Sequence, residues 1–234
     1  SSYMPVYYLP YYLGSRYAMN MKAALTEGHA VNGPWGGAPH LSTRYTAGLP
    51  KAYTFRFRAF FEIVDPVSQT GSYRCVFPIF TTDETLLCRA EAYIMEKNYD
   101  KAVNDLYLFS SNYTRGSALT RANINSYYAA RPYYTWDNPT EKKHLNPDFA
   151  IEKGGEQENF IHCLLHCRRM LTMHNGMRWF DVKRYGIEIY RREMDSDRHQ
   201  IVRYTDQLKK GDNRWAKQLP KGVISAGMEP NPRD

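Results

Sequence analysis

Residues 160–184 read FIHCLLHCRRMLTMHNGMRWFDVKR, and this stretch of the sequence decides the fold. Through its first half the apolar side chains recur every three or four residues, which places them on one face of an α-helix. Gly176 is the residue type that most often follows a helix C-terminus. We therefore predict two helices that meet at a glycine corner. They are Phe160–His174, which extends back toward Glu156, and Met177–Tyr185.

The composition indicates a folded chain in which no single charge dominates. Of the 234 residues, 43% are hydrophobic, which is enough for a packed core. No segment approaches the ~18 uninterrupted apolar residues of a membrane span, and Ser1–Pro5 lacks a signal-peptide pattern. The net charge of +7 comes from interspersed residues, and pairs such as Arg191–Arg192 are too short for a nucleic-acid-binding arm. We expect a solvated basic surface and no nucleic-acid partner.

Aromatic residues are unusually frequent, with 20 Tyr, 10 Phe and 4 Trp. Tyr and Trp combine a large apolar body with a polar tip, so they suit surfaces that hold a ligand in the presence of water. Two irregular stretches concentrate them. Residues 131–139 (RPYYTWDNP) form a proline-bounded loop, and Trp35 lies among the glycines and prolines of residues 33–39. Trp35 is either a ligand contact or a plug over the core.

Several shorter segments complete the predicted secondary structure. Before residue 53 we predict an extended entry at 1–14, a helix at 15–25 and an irregular stretch at 31–50. Alternating side chains predict two β-hairpins. Their strands are Tyr53–Val64 with Tyr73–Phe80, and Ile187–Met194 with His199–Thr205. The remainder is predicted to be an irregular tail over the domain.

The middle of the chain predicts three helices, at residues 85–97, 99–112 and 119–130. Thr81 and Glu84 have the spacing of a capping box, which marks the start of the first helix. The first two helices fit the tetratricopeptide pattern, in which small residues let paired helices approach closely. Its slots are occupied by Leu86, Arg89, Ala90, Tyr93, Ala102 and Leu106. We expect one such unit at about residues 83–112, and because an isolated unit is unstable it must stack on further helices.

The sequence offers little for catalysis or metal binding. His162, Cys163, His166 and Cys167 form two pairs of ligand-type residues one helical turn apart. A helical wheel puts the histidines on the polar side and the cysteines beside the apolar face, so we expect exposed histidines, partly buried cysteines and no metal ion. The GxSxG, phosphate-loop and HExxH motifs are absent from the sequence. We expect neither an enzyme nor a cofactor.

The order of several motifs resembles the C-terminal half of the SusD/RagB family of outer-membrane nutrient-binding lipoproteins. The motifs are FTTDETL (80–86), RAEAY (89–93), YDKA (99–102), HCRR (166–169), GMRWFDVKR (176–184), QLPKGVI (218–224) and PNP (230–232). Residues 1–79 match the family weakly. The chain also departs from the family at Cys167, Leu171 and Asn175, where the family usually has glutamate.

The resemblance implies a mainly α-helical fold of tetratricopeptide-like helix pairs with small β-hairpins and long irregular loops, here as a single domain over residues 1–234. It also implies a surface-exposed protein of the outer membrane, held by a lipid anchor that lies outside this chain. Beside a TonB-dependent (SusC-like) transporter, such a protein captures oligosaccharides or peptides without chemistry. Family ligands are held by aromatic and polar side chains of loops. The ligand-binding candidates are therefore Trp35, Tyr133, Tyr134, Trp136 and Asn138.

The glycine corner is interpreted as scaffold. We expect structural roles for Arg168, Arg178 and Asp181, with Asp181 able to pair with the arginines, and we place Trp179 and Phe180 in the core. Two other functions remain open. A soluble tetratricopeptide-type adaptor for protein partners predicts several tandem repeats, whereas the sequence shows one. A polyanion binder predicts an affinity that falls with salt.

Overall fold

The computed structural model describes residues 19–20, 32–37, 43–45, 51–54, 59–75, 80–116, 118–172, 176–195 and 200–233. The α-helices within these residues are α1 Thr82–Met95, α2 Tyr99–Tyr113, α3 Arg121–Ala130, α4 Glu156–Leu171, α5 Arg178–Arg184 and α6 Lys221–Ser225. The strands are β1 Met19–Asn20, β2 Thr43–Tyr45, β3 Lys51–Thr54, β4 Ala59–Asp65, β5 Thr70–Cys75, β6 Ile189–Met194 and β7 Ile201–Leu208. The predicted mainly α-helical fold is confirmed.

Helices α1 and α2 form an antiparallel pair joined by a short connection. The Thr81 side chain caps α1 by accepting a hydrogen bond from the backbone N–H of Glu84 at 3.2 Å, as the capping-box spacing predicted. At the far end of α2, the Tyr113 hydroxyl donates to Asp83 in the first turn of α1 at 3.0 Å. The start of one helix therefore lies beside the end of the other.

The contact between α1 and α2 combines small residues with one ion pair. Ala90 and Ala102 are both fully buried, so neither side chain holds the helices apart. Arg89, at a slot where the repeat usually has leucine, reaches across to Asp105 with two hydrogen bonds of 2.8 Å. A bidentate Arg–carboxylate pair fixes the relative position of the helices as well as attracting them.

Helix α4 is the centre of the fold, and α1, α2 and α3 all pack against it. Every side chain from Gln157 to Cys167 is buried, so no face of this part of the helix meets water. The predicted exposure of His162 and His166 is wrong, because their exposed fractions are 1% and 0%. A helical wheel assigns them to solvent, but Tyr128 of α3 covers them, with its hydroxyl 3.2 Å from His166 Nδ1.

The glycine corner forms as predicted, with α4 ending at Leu171 and α5 beginning at Arg178. The residues 173–175 at the end of the first predicted helix lie outside the described residues. Gly186, just beyond α5, has φ of +58°, and a Cβ there would lie 2.1 Å from the carbonyl oxygen of Asn146. Only glycine fits this close approach, which brings the chain after α5 against the loop before α4.

The strands form three small antiparallel sheets, ordered β1-β3-β2, β4-β5 and β6-β7. Both predicted hairpins form. In the first, Tyr53 and Thr54 of the predicted strand belong instead to β3 of another sheet, and residues 55–58 and 76–79 of its predicted strands lie outside the described residues. In the second, β7 continues beyond the predicted end to Leu208. The β4–β5 hairpin pairs Phe61 with Tyr73 and turns at residues 66–69. The β6–β7 hairpin contains two irregularities of register, and such bulges redirect side chains within a strand.

Three predictions outside the helical core are corrected. The helix predicted at residues 15–25 is wrong at Met19–Asn20, which pairs with β3; the rest of it, and the entry at residues 1–14, lie outside the described residues. The irregular stretch at 31–50 contains strand β2. The tail contains α6 and a 3₁₀ turn at Asn213–Trp215. Strand β1 pairs with β3, which is distant in the sequence, and local composition does not reveal such a partner.

Candidate functional site

The aromatic loop at residues 131–145 lies between α4 and the β6–β7 hairpin. Its two ends are drawn together by a hydrogen bond of 2.7 Å from the backbone N–H of Tyr134 to the carbonyl of Lys142. The Thr140 hydroxyl donates to the carbonyl of Pro132 at 2.9 Å. Both bonds cross the loop, so residues 135–138 form a closed turn at the surface, whereas Pro139 is buried.

Tyr133 faces the helical core rather than a ligand. Its hydroxyl donates to Glu158 of α4 at 2.9 Å, and its ring stacks on His144 at 4.4 Å with a plane angle of 10°. Burial, reinforced by the nearby Glu158 carboxylate, raises the pKa of the Tyr133 hydroxyl to about 12. The hydroxyl therefore stays protonated and holds the loop to α4.

Tyr134 is also committed to the structure, because only 6% of it is exposed. Two cations cover its ring, with Lys143 Nζ at 3.4 Å and the Arg192 guanidinium carbon at 4.7 Å from the centroid. Cation–π contacts of this kind are stronger when partly desolvated. Tyr134 therefore joins the aromatic loop to the hairpin and leaves no ring face for a ligand.

Trp136 lies at the surface, beside two tyrosines of the hairpin. Its ring centroid is 5.7 Å from that of Tyr204, which is 5.5 Å from that of Tyr190. The Trp136 ring is half-buried, whereas 45% of Tyr204 is exposed. The ring planes are inclined at 47° and 68°, so the three rings do not lie in one plane. We call Trp136, Tyr190 and Tyr204 the aromatic platform.

Arg192 of β6 holds the aromatic platform in place. Its Nε donates to the carbonyl of Trp136 at 2.8 Å, and one terminal nitrogen donates to the carbonyl of Thr135 at 3.4 Å. In the hairpin Arg192 pairs with Tyr204, so both side chains lie on the face that meets the loop. The hairpin thus positions the backbone of Trp136 and supplies the ring beside it.

Asn138 completes the turn with its backbone and leaves its side chain free. The backbone N–H donates to the Thr135 hydroxyl at 3.1 Å, and its carbonyl accepts from the Thr135 N–H at 3.1 Å. Asn138 is exposed, and its amide has no hydrogen bond within the described part of the chain. An amide with one free donor group and one free acceptor, two residues from Trp136, can bind a hydroxyl-rich ligand.

Trp35 lies in the core and does not line this site. It is fully buried, its indole N–H donates to the carbonyl of Gly37 at 3.0 Å, and its ring lies 4.9 Å from that of His166. A ligand role would require an exposed face, which the ring lacks. We therefore withdraw Trp35 from the ligand-binding candidates, since its position fits the other interpretation, a plug over the core.

The glycine corner carries a network of buried ion pairs. Glu91 of α1 accepts hydrogen bonds from Arg168 at 2.7 Å, from Arg184 at 2.8 Å and from the Tyr185 hydroxyl. Asp181 of α5 pairs with Arg168 at 3.4 Å and with Arg178 at 3.1 Å. Arg168 therefore links both carboxylates and joins α1, α4 and α5. Glu91, which sequence analysis did not select, lies at the centre of this network.

Electrostatics explain why Glu91 stays ionised although it is buried. Burial by itself raises the pKa of this carboxyl, but the charge of Arg168 and the hydrogen bonds from Tyr185 and Arg184 outweigh that effect and lower it. Glu158 beneath the aromatic loop behaves in the same way. There, the His162 ring, whose Nε2 lies 3.5 Å from the carboxylate, and hydrogen bonds from the N–H of Gly154 and from Tyr133 outweigh burial and lower the pKa to about 2.

One assignment at the corner is wrong. Phe180 was placed in the core, but 64% of it is exposed, because the short α5 turns that side chain away from α4. Trp179 is half-buried and packs against the core. A seven-residue helix that ends at a glycine buries only one side, and Val182 with Asp181 occupy it.

Tyr190 and Tyr204 were missed by sequence analysis, although each lies in a predicted strand. The available signal was the alternation of side chains along a strand, which places Tyr190 and Arg192 on the same face of β6. In the structure, a bulge brings Tyr204 rather than Thr205 opposite Arg192. That bulge cannot be located from the sequence alone. The pairing of the hairpin with a loop more than fifty residues earlier is equally invisible in the local pattern.

Two further properties of the described residues concern metal ligands and the apolarity of the helices. These residues contain no group of three or more His, Cys, Asp or Glu side chains that could hold a metal ion. Cys88, Cys163 and Cys167 are free thiols, and the latter two are fully rather than partly buried. Among the described helices, none has the length and apolarity needed to cross a membrane.

Comparison with known proteins agrees with this architecture. A model of the SusD family matches residues 39–222, which is most of the chain. No curated protein and no solved structure gave a significant match. SusD-family proteins bind nutrients at the cell surface, generally without catalysis, and are typically associated with the outer membrane. The motif order, the helical fold and this match lead to one conclusion: the chain belongs to the SusD family.

Proposed function

We propose that this protein captures oligosaccharides at the cell surface by stacking sugar rings on the aromatic platform. The bound sugar is passed on unchanged to a partner TonB-dependent (SusC-like) transporter, beside which a lipid anchor holds the protein at the outer membrane. The observation that carries the proposal is the partly exposed set of rings at Trp136, Tyr190 and Tyr204, in which the Tyr204 centroid lies 5.7 Å from that of Trp136 and 5.5 Å from that of Tyr190.

The chemistry of a sugar ring fits this surface. Pyranose rings have apolar C–H faces that pack on aromatic rings, and hydroxyl groups at their edges that need donors and acceptors. Trp136 and Tyr204 offer the faces, and the free amide of Asn138 offers both kinds of polar partner. Because Arg192 already fixes the loop to the hairpin, the site needs little ordering when the ligand arrives, which favours affinity.

An oligosaccharide fits the site better than a peptide does. A peptide that is captured by its termini needs a charged anchor. On the platform face of the hairpin, Arg192 is already bonded to the loop and offers no such anchor. The remaining partners are aromatic faces and one amide, which is a typical sugar-binding combination.

An array of oligosaccharides and peptides, probed with the 234-residue protein, tests this proposal. We expect retention of a set of oligosaccharides and quenching or enhancement of tryptophan fluorescence on binding. The fluorescence change should disappear in Trp136→Phe and persist in Trp179→Phe, since Trp179 lies at the glycine corner. Binding of peptides alone, or a fluorescence change that survives Trp136→Phe, would contradict the proposed site.

A further inference from the structure

A second concave site lies beside the glycine corner, away from the aromatic platform. A cavity of about 300 Å³ opens between α1, α4 and α5, and we call it the corner cavity. Its walls include Glu84, Glu91, Arg168, Leu171, Met177 and Phe180. None of the platform residues lines it, so a ligand there would be independent of sugar capture. Cavities of this volume are at the lower end of the range that holds small ligands or single side chains.

The arginines that line the corner cavity are already neutralised. Arg168 donates to Glu91 and pairs with Asp181, at 2.7 and 3.4 Å. Arg184 pairs with Glu91 at 2.8 Å, and its guanidinium lies 4.9 Å above the ring of Phe149. Glu91 and Asp181 in turn have two arginine partners each. This part of the wall therefore offers no free charge to a ligand.

Glu84 is the exception among the charged groups of the wall. It lies half-buried in the first turn of α1, and its carboxylate has neither an ion pair nor a hydrogen bond to any residue in the described part of the chain. A half-buried carboxylate that faces a cavity attracts a cation more strongly than a fully solvated one, because the surrounding dielectric constant is lower. The corner cavity thus presents one carboxylate that has no cationic side chain as a partner among the described residues.

The rim of the corner cavity is apolar and exposed. Phe180 is 64% exposed and Met177 is 38% exposed, and the Phe180 ring contacts no other aromatic ring among the described residues. Aromatic residues and methionine are enriched at the cores of protein interfaces, where lysine and glutamate are depleted. An aromatic face beside a carboxylate is suited to a side chain that has an apolar stem and a cationic end.

We propose that the corner cavity binds a lysine or arginine side chain presented by a partner polypeptide. The aliphatic stem lies against Met177 and Phe180, and the cationic group pairs with Glu84. Charge complementarity selects this occupant, since Glu84 is the one charged group of the wall that lacks an ion pair among the described residues. The partner docks on the face formed by α1 and α5. This face carries a carboxylate, whereas the aromatic platform consists of uncharged rings.

The test follows the Met177 methyl resonance while the 234-residue protein is titrated with N-acetyl-lysine methylamide. The matched probe is N-acetyl-norleucine methylamide, which has the same stem without the charge. We expect saturable shifts with the lysine probe. The norleucine probe should bind about fivefold more weakly to the parent protein, and the lysine probe should bind about fivefold more weakly to the variant Glu84→Gln. Glu96→Gln, at the exposed C-terminal end of the same helix, should bind the lysine probe like the parent protein.

Three results would overturn the proposal. The first is no saturable shift with the lysine probe, and the second is equal binding of the norleucine probe, which would make the cavity a purely apolar site. The third is unchanged lysine binding in Glu84→Gln with its fold intact by circular dichroism. Oligosaccharide binding measured on the same samples should be unaffected by Glu84→Gln, so this test and that of the aromatic platform fail independently.

Discussion

Replacing Glu91 with alanine tests whether the buried ion-pair network holds the scaffold together. Glu91 is 7% exposed and accepts three hydrogen bonds, from Arg168, Arg184 and Tyr185. Its removal leaves Arg168 with Asp181, at 3.4 Å, and with the weak acceptor Cys88 Sγ, at 3.7 Å, and leaves the buried hydroxyl of Tyr185 without its partner. The variant should therefore fold but unfold more readily than the parent protein.

The expected loss follows from how exposed each partner is. The Arg168 side chain is 14% exposed, so losing its shortest charge-assisted bond is expected to cost about 2 to 3 kcal/mol. Tyr185 is fully buried, and an unsatisfied hydroxyl there adds about 1 kcal/mol. Arg184 is 51% exposed and can be hydrated, so its pair adds less than about 1 kcal/mol. We expect a total of about 4 kcal/mol.

Urea unfolding followed by circular dichroism measures this difference, with Glu96→Ala as the control. Glu96 is exposed at the end of the same helix, and its replacement should change the free energy of unfolding by no more than about 0.5 kcal/mol. A loss below about 1 kcal/mol for Glu91→Ala, with an unchanged denaturant slope, would refute the central role of the network.

The pH dependence gives a second measurement of the same network. The pKa of Glu91 is lowered in the folded protein from its ordinary 4.5, so the stability that its charge contributes is complete above that pH. It is lost as the pH falls through the folded value. The difference between the parent protein and Glu91→Ala should therefore be constant from pH 7 to about pH 5 and shrink below about pH 4.5.

Three further replacements test other parts of the scaffold. Asp181→Ala should lower stability by roughly 1 to 3 kcal/mol in thermal melts, because two arginines lose a partly buried partner. Gly186→Ala should cost roughly 1 to 3 kcal/mol more than Gly211→Ala, since its added Cβ meets the Asn146 carbonyl whereas Gly211 faces open space. Glu158→Gln should reduce the loss of stability that the parent protein shows as the pH falls below about 4.5, because the lowered pKa of Glu158 makes its charge stabilising only above that range. Equal stability of the two glycine variants, or an unchanged acid transition in Glu158→Gln, would contradict these assignments.

The helices could be predicted from the sequence because their signals are local. Thr81 with Glu84 marked the start of α1, and the apolar spacing from Phe160 marked α4. What the sequence could not show was how deeply α4 is enclosed. His162 and His166 lie on the wheel's polar side, yet Tyr128 packs beside both and Trp35 beside His166. Such coverage depends on chain segments far away in sequence.

The candidate site was predictable in part for the same reason. The aromatic loop was selected from its composition, and Trp136 and Asn138 are exposed enough to contact a ligand. Tyr133 and Tyr134 have the same loop context in the sequence as Trp136 and Asn138. In the structure, however, Tyr133 is bonded to Glu158 and Tyr134 is covered by Arg192, so both tyrosines face inward. Whether an aromatic residue of a loop faces inward or outward is decided by the partners that the fold brings near it.

Calorimetric titration of the best oligosaccharide from the array tests the central claim most directly. We predict that Trp136→Ala and Tyr204→Ala each weaken binding about tenfold or more, while their melting temperatures stay close to that of the parent protein. Tyr107→Ala is the matched control, because Tyr107 of α2 is as exposed as Tyr204, at 45%. It should bind like the parent protein. Unchanged affinity in both Trp136→Ala and Tyr204→Ala would contradict sugar capture on the aromatic platform.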